Sequence, residues 1–434
     1  MQYKIFGCKV NKYYLNKRIN YLKDNKLDND NVFLIASCEV TDRAKSKRIK
    51  ELKDQIKNGK KIYITGCGVL KNGKLIESDS FYDLYPELSF YSDSIVLLGE
   101  SPNNVEKWKY GKMEKWRLIS LNNTNIPQSL LSTNVDNVSM SQWKNKELYT
   151  KKFIVIQNGC DNFCSFCLTI LKRWKSRNIS MQEILDEINE FEKWWWKEIV
   201  LTWINLASRW CLDTKKPEET QFSSLLKKIL SDTKVERIRI SSLWPEFLND
   251  DFFSLIENKR FLPHFHISVQ SFSDKILKSM NRNYDSKLLD KIIKKFQNLK
   301  RDDIDKLSLW ADLIVGFPWE TDEDFKATID WVQKYQINKI HAFPFSAHQK
   351  WETIPAGKFP FQVPQEIKKD REKKLIQMGN QIRNNFLEKN KWKNFQVLIE
   401  EKKDGKRQWR TENYIQVQLD WDFEKGELVE LIFK

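Results

Sequence analysis

Three cysteines fall within eight residues, Cys160, Cys164 and Cys167 in the stretch GCDNFCSFC, and three thiolates are one ligand short of a closed tetrahedral metal site. Two chemistries are open to them. A structural zinc would borrow a fourth ligand from farther along, with Cys211 and then His264 the nearest later candidates. A four-iron four-sulfur cluster held by three cysteines instead leaves one iron open to another ligand, where chemistry can start. The stretch has no second pair at zinc-knot spacing, which favours the cluster.

A second trio is spread over the amino-terminal part. QYKIFG, NVFLIAS and KIYITG read as short apolar strands, and the charged segment DRAKSKRIKELKDQI, helical in period, separates the last two, so a βαβαβ order is expected. Cys8, Cys38 and Cys67 each follow one of these strands, at intervals of 30 and 29 residues. Parallel strands bring their carboxyl ends to one sheet edge, the edge where open α/β sheets collect ligands. A lone cysteine there reads as a small buried hydrophobe, whereas three in phase with three strand ends point to a second metal centre. Cys211 has no phase partner and reads as an ordinary free thiol.

These cysteines require a particular scaffold. A polar stretch, SLNNTNIPQSLLSTNVDNVSMSQWKNKE, links the first domain to a run of six further strand signals, FIVIQ, EIVLTWI, ERIRISS, HFHISVQ, LSLWADLIVG and INKIHAF, with helical segments between them. That order predicts a parallel partial barrel with its function at the strand carboxyl ends, and GCDNFCSFC lies just past the first strand. A lysine-rich helix, EIKKDREKKLIQMGNQIRNNFLEKN, leads to FQVLIEE, NYIQVQL and ELVELIF, short strands of a small antiparallel barrel. The expected class is therefore α/β. An amino-terminal three-layer, Rossmann-like α/β domain spans 1–120 and a linker spans 121–148. A partial (β/α)6 barrel spans 149–370, and a linker helix with a small β-barrel spans 371–434.

Seven cysteines, an odd number, in a lysine-rich chain with no uninterrupted apolar run of 18 residues argue for a reducing cytoplasm and against a membrane span. The net charge of +15, from 74 basic and 59 acidic side chains, suits a polyanionic partner such as RNA. An adenine- and thymine-rich genome would enrich lysine and asparagine without any such partner. Lys402, Lys403, Lys406, Arg407 and Arg410 form a basic run between two strands of the last domain, suited either to holding phosphates or to a solvated loop. His264, His266, His341 and His348 read as packing or hydrogen-bonding residues and are given no metal role.

The spacing CxxxCxxC, with Phe166 just before the last cysteine, resembles the radical S-adenosylmethionine superfamily. GCKVN at 7–11, SCEVTDRA at 37–44 and TGC at 65–67 extend the likeness, nearly end to end, to the methylthiotransferases. The resemblance implies two four-iron four-sulfur clusters, an auxiliary one on Cys8, Cys38 and Cys67 and a radical one on Cys160, Cys164 and Cys167. It implies S-adenosylmethionine on the open iron of the latter, and a carboxyl-terminal barrel of the TRAM type that binds substrate RNA. Phe166, Asn205, Ser268 and Gln270, the last three at strand ends of the barrel, are then expected to contact S-adenosylmethionine. PHFHISVQS, LKSMNRNYD, DLIVGFPWETDEDF, HAFPFS and TENYIQV resemble the branch that methylthiolates C2 of N6-threonylcarbamoyladenosine at position 37, in the anticodon loop of tRNA. An electron donor and a sulfur source are implied partners. The isopentenyladenosine branch, the ribosomal-protein aspartate branch and a non-catalytic tRNA-binding iron–sulfur protein are the alternatives.

Tryptophan repeatedly stands where that family has glycine, in GFPWET, LTWINL, LKRWKSR and QKWET. Average usage predicts about 30 glycines in a chain of this length; there are 13, and 17 tryptophans. The expectation is that UGA codons read as glycine in the source organism underlie many of these positions, and that an indole there costs strain and narrows the cofactor pocket.

Overall fold

A computed structural model describes residues 1–39, 41–99, 149–173, 175–193, 196–204, 221–348, 354–400, 408–418 and 423–433. It comprises two compact units, one of residues 1–148 with 171–173, the other of residues 149–170 with 174–434. The expected linker at 121–148 lies outside the described residues. Among the described residues no helix is long and apolar enough to cross a membrane.

In the first unit, β1 (Gln2–Ile5), β2 (Val32–Ser37), β3 (Lys61–Gly66) and β6 (Ile95–Leu97) form one parallel sheet in that order. A two-stranded hairpin, β4 (Leu70–Lys71) and β5 (Lys74–Leu75), lies between β3 and β6 in sequence. Helix α1 (Lys9–Asp24) presents Leu15, Ile19 and Leu22, one helical face, to Val32, Leu34 and Ala36 of β2, with Tyr63 and Val96 in the same core. The alternate residues Phe33, Ile35, Ile62 and Ile64 are also buried, pointing to the opposite face, where α2 (Asp42–Lys57) packs on β2 and β3. Thr41 starts α2 by accepting the Ala44 N–H at 3.1 Å. A sheet buried on both faces explains why β2 reads as a continuous apolar run. Helix α3 (Ser78–Leu84) follows the hairpin.

The second unit begins with β7 (Lys151–Asn158), flanked by the short antiparallel β8 (Arg177–Asn178), and continues in parallel through β9 (Glu198–Trp203) and β10 (Arg237–Ile240). Then β11 (Ser242–Leu243), β12 (His264–Gln270), β13 (Ser308–Val315) and β14 (Lys339–Pro344) pair in parallel, and a bridge from Ile238 to Phe261 joins the two halves. Helix α4 (Thr169–Arg173) begins in this unit and its residues 171–173 belong to the first, while α5 (Met181–Lys193), α6 (Phe222–Asp232), α7 (Asp250–Ile256), α8 (Asp274–Ser279), α9 (Ser286–Gln297) and α10 (Asp322–Tyr335) lie between the strands in sequence.

Strand parity sorts the side chains. Ile154 and Ile156, Ile199 and Leu201, Ile238 and Ile240, Phe265 and Ile267, and Leu309, Ala311 and Leu313 share one core with the helices. Their neighbours in sequence, including Lys151, Glu198, Arg237, Arg239, His264, His266, Ser268 and Asp312, therefore occupy the opposite, inward face. That face sets these charged and polar groups among Phe153, Val155, Val200 and Trp310, unlike the purely branched-aliphatic filling common in closed barrels.

Helix α11 (Gln365–Asn390) packs on β14 and leads to β15 (Asn394–Leu398), β16 (Gln408–Thr411), β17 (Gln416–Gln418) and β18 (Leu428–Ile432). Among the described residues these four make an antiparallel sheet in the order β17–β16–β15–β18. Strand β16 has no counterpart in the sequence reading, because QWRT directly follows a charged run that reads as a turn. The sheet meets the barrel through charge. Glu198 takes Arg237 at 3.1 Å and Arg239 at 3.0 Å, and Arg239 also donates to the Glu412 carbonyl at 3.0 Å and lies over the Tyr414 ring.

Candidate metal centres

In the first unit the register fixes where the three cysteines emerge. Ile5 pairs with Ala36 and Ser37 with Gly66, so Cys8, Cys38 and Cys67 leave three adjacent parallel strands at the same edge. Cys8 is the residue that begins α1, Cys38 follows β2, and Cys67 opens a single 3-10 turn after β3. Cys8 is exposed, Cys67 half-buried and Cys38 buried.

Two glycines shape this edge. Gly7 has φ of +107°, and a Cβ on it would come within 2.9 Å of Cys38 Sγ and 2.7 Å of its Cβ. At Gly68 a Cβ would fall 1.8 Å from Arg48 Nη1, a guanidinium clamped to Glu39 at 2.5 Å. Asn11 ties the edge together, donating to the Phe6 carbonyl at 2.9 Å and the Ser37 carbonyl at 2.8 Å. Arg173 donates from Nε to Cys67 Sγ at 3.2 Å and from Nη2 to Asn11 Oδ1 at 3.1 Å. A guanidinium beside a sulfur ligand suits an anionic thiolate cluster, so the donor set fits such a group.

In the second unit Cys160, Cys164 and Cys167 occupy the loop after β7, where Gly159 turns the chain at φ of +80°. The segment after α8 holds the loop in place. Ser165 N–H reaches the Met280 carbonyl at 3.1 Å, its hydroxyl the Ser279 carbonyl at 2.8 Å, and Asn281 donates to the Asn162 and Phe163 carbonyls. Cys164 packs with Trp244 and Phe247, and Phe166 and Cys167 lie against the same patch. Burial pushes the Cys164 thiol up, against the pull of Arg282, whose Nη1 lies 3.5 Å from its sulfur. Arg282 is itself sandwiched, 3.7 Å from the Trp244 ring centroid and donating to the Ser268 carbonyl at 2.9 Å.

This loop also fits a bound cofactor. The Glu246 carboxyl and the Asn162 amide are buried against one another, and burial pushes Glu246 up despite Arg282 and Asn162. A buried carboxyl and amide of this kind keep further donor and acceptor capacity for a ligand with complementary polar atoms. Among the sequence-derived contacts, Phe166 is in the cysteine patch and the Ser268 carbonyl is tied to Arg282 and Tyr284. Gln270 ends β12 at φ of +68° beside a register shift. Asn205 and Cys211 lie outside the described residues, as do Lys402, Lys403, Lys406 and Arg407. Arg410 is described and lies over the Tyr414 ring. Sequence reasoning missed Arg173, Arg282, Glu246 and Asn162. Asn162 sits inside the cysteine motif, and its place between two ligand candidates was the available signal.

The histidines do not behave alike. His264 stacks on Tyr414, whereas His266 and His341 both meet Asp312, through Nε2 at 2.9 Å and Nδ1 at 3.2 Å. Burial opposes ionisation of Asp312, but these two partners outweigh it and hold the carboxyl well below the usual carboxylate range.

Comparison with known proteins bears on both centres. Residues 154–332 match the model of the radical SAM superfamily, and residues 1–85 match that of uncharacterized protein family UPF0004. The threonylcarbamoyladenosine tRNA methylthiotransferase MtaB of Rickettsia prowazekii is 30% identical over 419 residues, 96% of this chain and 90% of that one. The chain belongs to the radical S-adenosylmethionine methylthiotransferase family. The Aquifex aeolicus protein of the same name as the Rickettsia one is 28% identical over 99% of each chain. The tRNA-2-methylthio-N(6)-dimethylallyladenosine synthase of Pelagibacter ubique is 28% identical over 99% of this chain and 93% of its own. The chain is thus an enzyme of the radical SAM methylthiotransferase class, which works with an iron–sulfur cluster and S-adenosylmethionine.

Proposed function

We propose that this enzyme methylthiolates C2 of N6-threonylcarbamoyladenosine at position 37 of tRNA. The observation that carries the reading is the placement of two cysteine trios at strand carboxyl edges, one in each compact unit, in a chain whose relatives of that name run nearly full length. Cys8, Cys38 and Cys67 would hold the auxiliary cluster, and Cys160, Cys164 and Cys167 the radical one. S-adenosylmethionine bound at such a centre supplies the hydrogen-abstracting radical and the methyl group, chemistry that side chains alone do not provide for an unactivated C–H bond.

The chain's own residues would do the positioning. Arg282 would donate a hydrogen bond to Cys164 and steady its negative charge, while Trp244 and Phe247 keep water from the same sulfur. Glu246 and Asn162 would take the polar groups of the cofactor, and Phe166 its adenine face. Arg173 would do for Cys67 what Arg282 does for Cys164. An anticodon loop presents unstacked bases, so C2 is reached there more cheaply than in a duplex. The basic residues of the carboxyl-terminal part, Arg410 among them, would hold phosphates.

A second reading, the dimethylallyladenosine substrate, is favoured by the nearly full-length match to the Pelagibacter protein. Mass spectrometry of tRNA nucleosides from a strain lacking the gene separates them. Loss of the 2-methylthio derivative of threonylcarbamoyladenosine supports the proposal; loss of the dimethylallyl derivative instead transfers it to the second reading.

A further inference from the structure

The inward face of the barrel carries a constellation that neither cysteine trio uses. His266 on β12, Asp312 on β13 and His341 on β14 come from three neighbouring parallel strands. Strand parity puts all three on the inward side, because Ile267, Leu313 and Ile340 beside them belong to the helix-side core. Among the described residues they are the one group of three such side chains whose ligand atoms all lie within 4.8 Å of one another.

We propose that His266, Asp312 and His341 form a mononuclear site for a divalent transition-metal ion, separate from the sulfur-bound centres. Bonds of about 2.0–2.2 Å at angles of about 90–110° separate neighbouring ligand atoms by about 2.9–3.5 Å. The observed separations from Asp312 Oδ1 are 2.9 Å to His266 Nε2 and 3.2 Å to His341 Nδ1. Two imidazoles and one carboxylate suit zinc or iron(II) rather than calcium or magnesium, and they leave coordination positions open. On ion binding His266 Nε2 and His341 Nδ1 would each give a lone pair to the metal, with the single proton of each neutral imidazole carried on the other ring nitrogen, Nδ1 of His266 and Nε2 of His341.

The surroundings suit that assignment. Ser242 Oγ lies 3.3 Å from His266 Nδ1, the ring nitrogen left over, and so orients the imidazole as outer partners of metal-bound histidines do. Trp310 forms an aromatic wall, its ring centroid 5.4 Å from that of His341 and 6.2 Å from that of His266. The His341 side chain is 34% and that of Asp312 19% exposed, so a water or a substrate oxygen has access to the open positions.

The test is anaerobic equilibrium dialysis of the full chain, reconstituted with iron and sulfide, against cobalt(II). Cobalt is counted per chain and its K-edge absorption identifies nitrogen and oxygen versus sulfur neighbours. The expected result is one cobalt per chain in a nitrogen and oxygen shell. Affinity should drop at least about 10-fold in Asp312→Asn and in His341→Gln, and be unchanged in His264→Gln, which alters a neighbouring ring outside the trio. His341→Gln is the informative variant if Asp312→Asn fails to fold, since His341 is the more exposed. No bound cobalt, a sulfur shell, or equal affinity in parent and His341→Gln would overturn the site, leaving a hydrogen-bonded trio. None of these outcomes bears on which tRNA nucleoside is modified.

Discussion

Arg173 Nε lies 3.2 Å from Cys67 Sγ although the two are 106 residues apart in sequence. The guanidinium is buried, and its second arm reaches Asn11, which in turn holds the ends of β1 and β2. A single cation thus steadies one thiol and the loop geometry that sets the edge. Charge-assisted bonds of this kind contribute about 1.5–3 kcal/mol. Replacing Arg173 with Met should weaken iron retention at the amino-terminal centre about 10–100-fold, the usual effect of losing an outer partner. Iron counted per chain after chelator challenge, in a background with Cys160, Cys164 and Cys167 changed to Ser, measures it; retention equal to the parent would remove the role.

Gly7 makes a sharper steric prediction. Its φ of +107° is costly for a side chain, and an added Cβ would sit within 2.9 Å of Cys38 Sγ. Gly7→Ala should cost about 1–3 kcal/mol from backbone strain alone and displace Cys38 from the edge. Gly59 provides the comparison, with φ of +73° but nothing within 4 Å of an added Cβ. Gly59→Ala should show comparable destabilisation in urea melts with unchanged iron content. Equal iron content in both variants would mean that contact with Cys38 does not matter.

The legible part of this molecule was the part written in local periodicity. Cys38 and Cys67 each follow the last residue of a strand, so counting strands was enough to bring them to one edge. Three parallel strands of the first unit and six of the second lie where apolar runs placed them, while the short parallel strands β6 and β11 had no counterpart in the sequence reading. What stayed hidden depends on contacts that no spacing encodes. Arg282 reaches Cys164 over 118 residues, as Arg173 reaches Cys67 over 106. His266 and His341 read as packing or hydrogen-bonding residues and do form hydrogen bonds, but that they share one carboxylate was hidden because Asp312 lies inside a largely apolar strand, SLWADLIV. Nor did Trp203 behave as expected. Its ring joins the helix-side core, edge-on to Phe222, and its Nε1 donates to the Ser242 carbonyl at 2.8 Å, so it takes no room from the inward face. Trp174 and Trp351 lie outside the described residues.

Glu198 sets a pH dependence. Burial opposes its ionisation, but Arg239, Arg237 and Lys151 outweigh that and hold its pKa at about 2, below the ordinary 4.5. A carboxyl depressed by folding contributes stability that is complete above the unfolded value and is lost as pH falls through the folded one. The window is therefore pH 4.5 down to about 2, and the loss is on the order of 3 kcal/mol. Glu198→Gln should flatten the acid limb of a Tm-against-pH curve. At neutral pH the same change leaves two buried guanidinium groups uncompensated, at a cost of about 3–5 kcal/mol. An acid limb of unchanged slope in the variant would assign the pH dependence to other carboxyls.

Trp319 tests the reading that tryptophan stands in glycine positions. It has φ of +68° and its ring lies 4.8 Å from that of Phe359. The left-handed backbone costs a side-chain residue about 1–2 kcal/mol, while the ring pair returns about 0.5–1.5 kcal/mol, so Trp319→Gly alone nearly cancels. The decisive comparison is Trp319→Gly with Trp319→Ala. Both lose the ring, and only alanine keeps the strain. In ordinary backbone glycine is less stable than alanine by about 0.5–1 kcal/mol; here the order should reverse, with the glycine variant ahead by about 1 kcal/mol. Urea melts of the two variants measure the difference. Alanine equal to or above glycine would show that this turn places no demand on glycine, and the case for glycine at position 319 would then rest on composition alone.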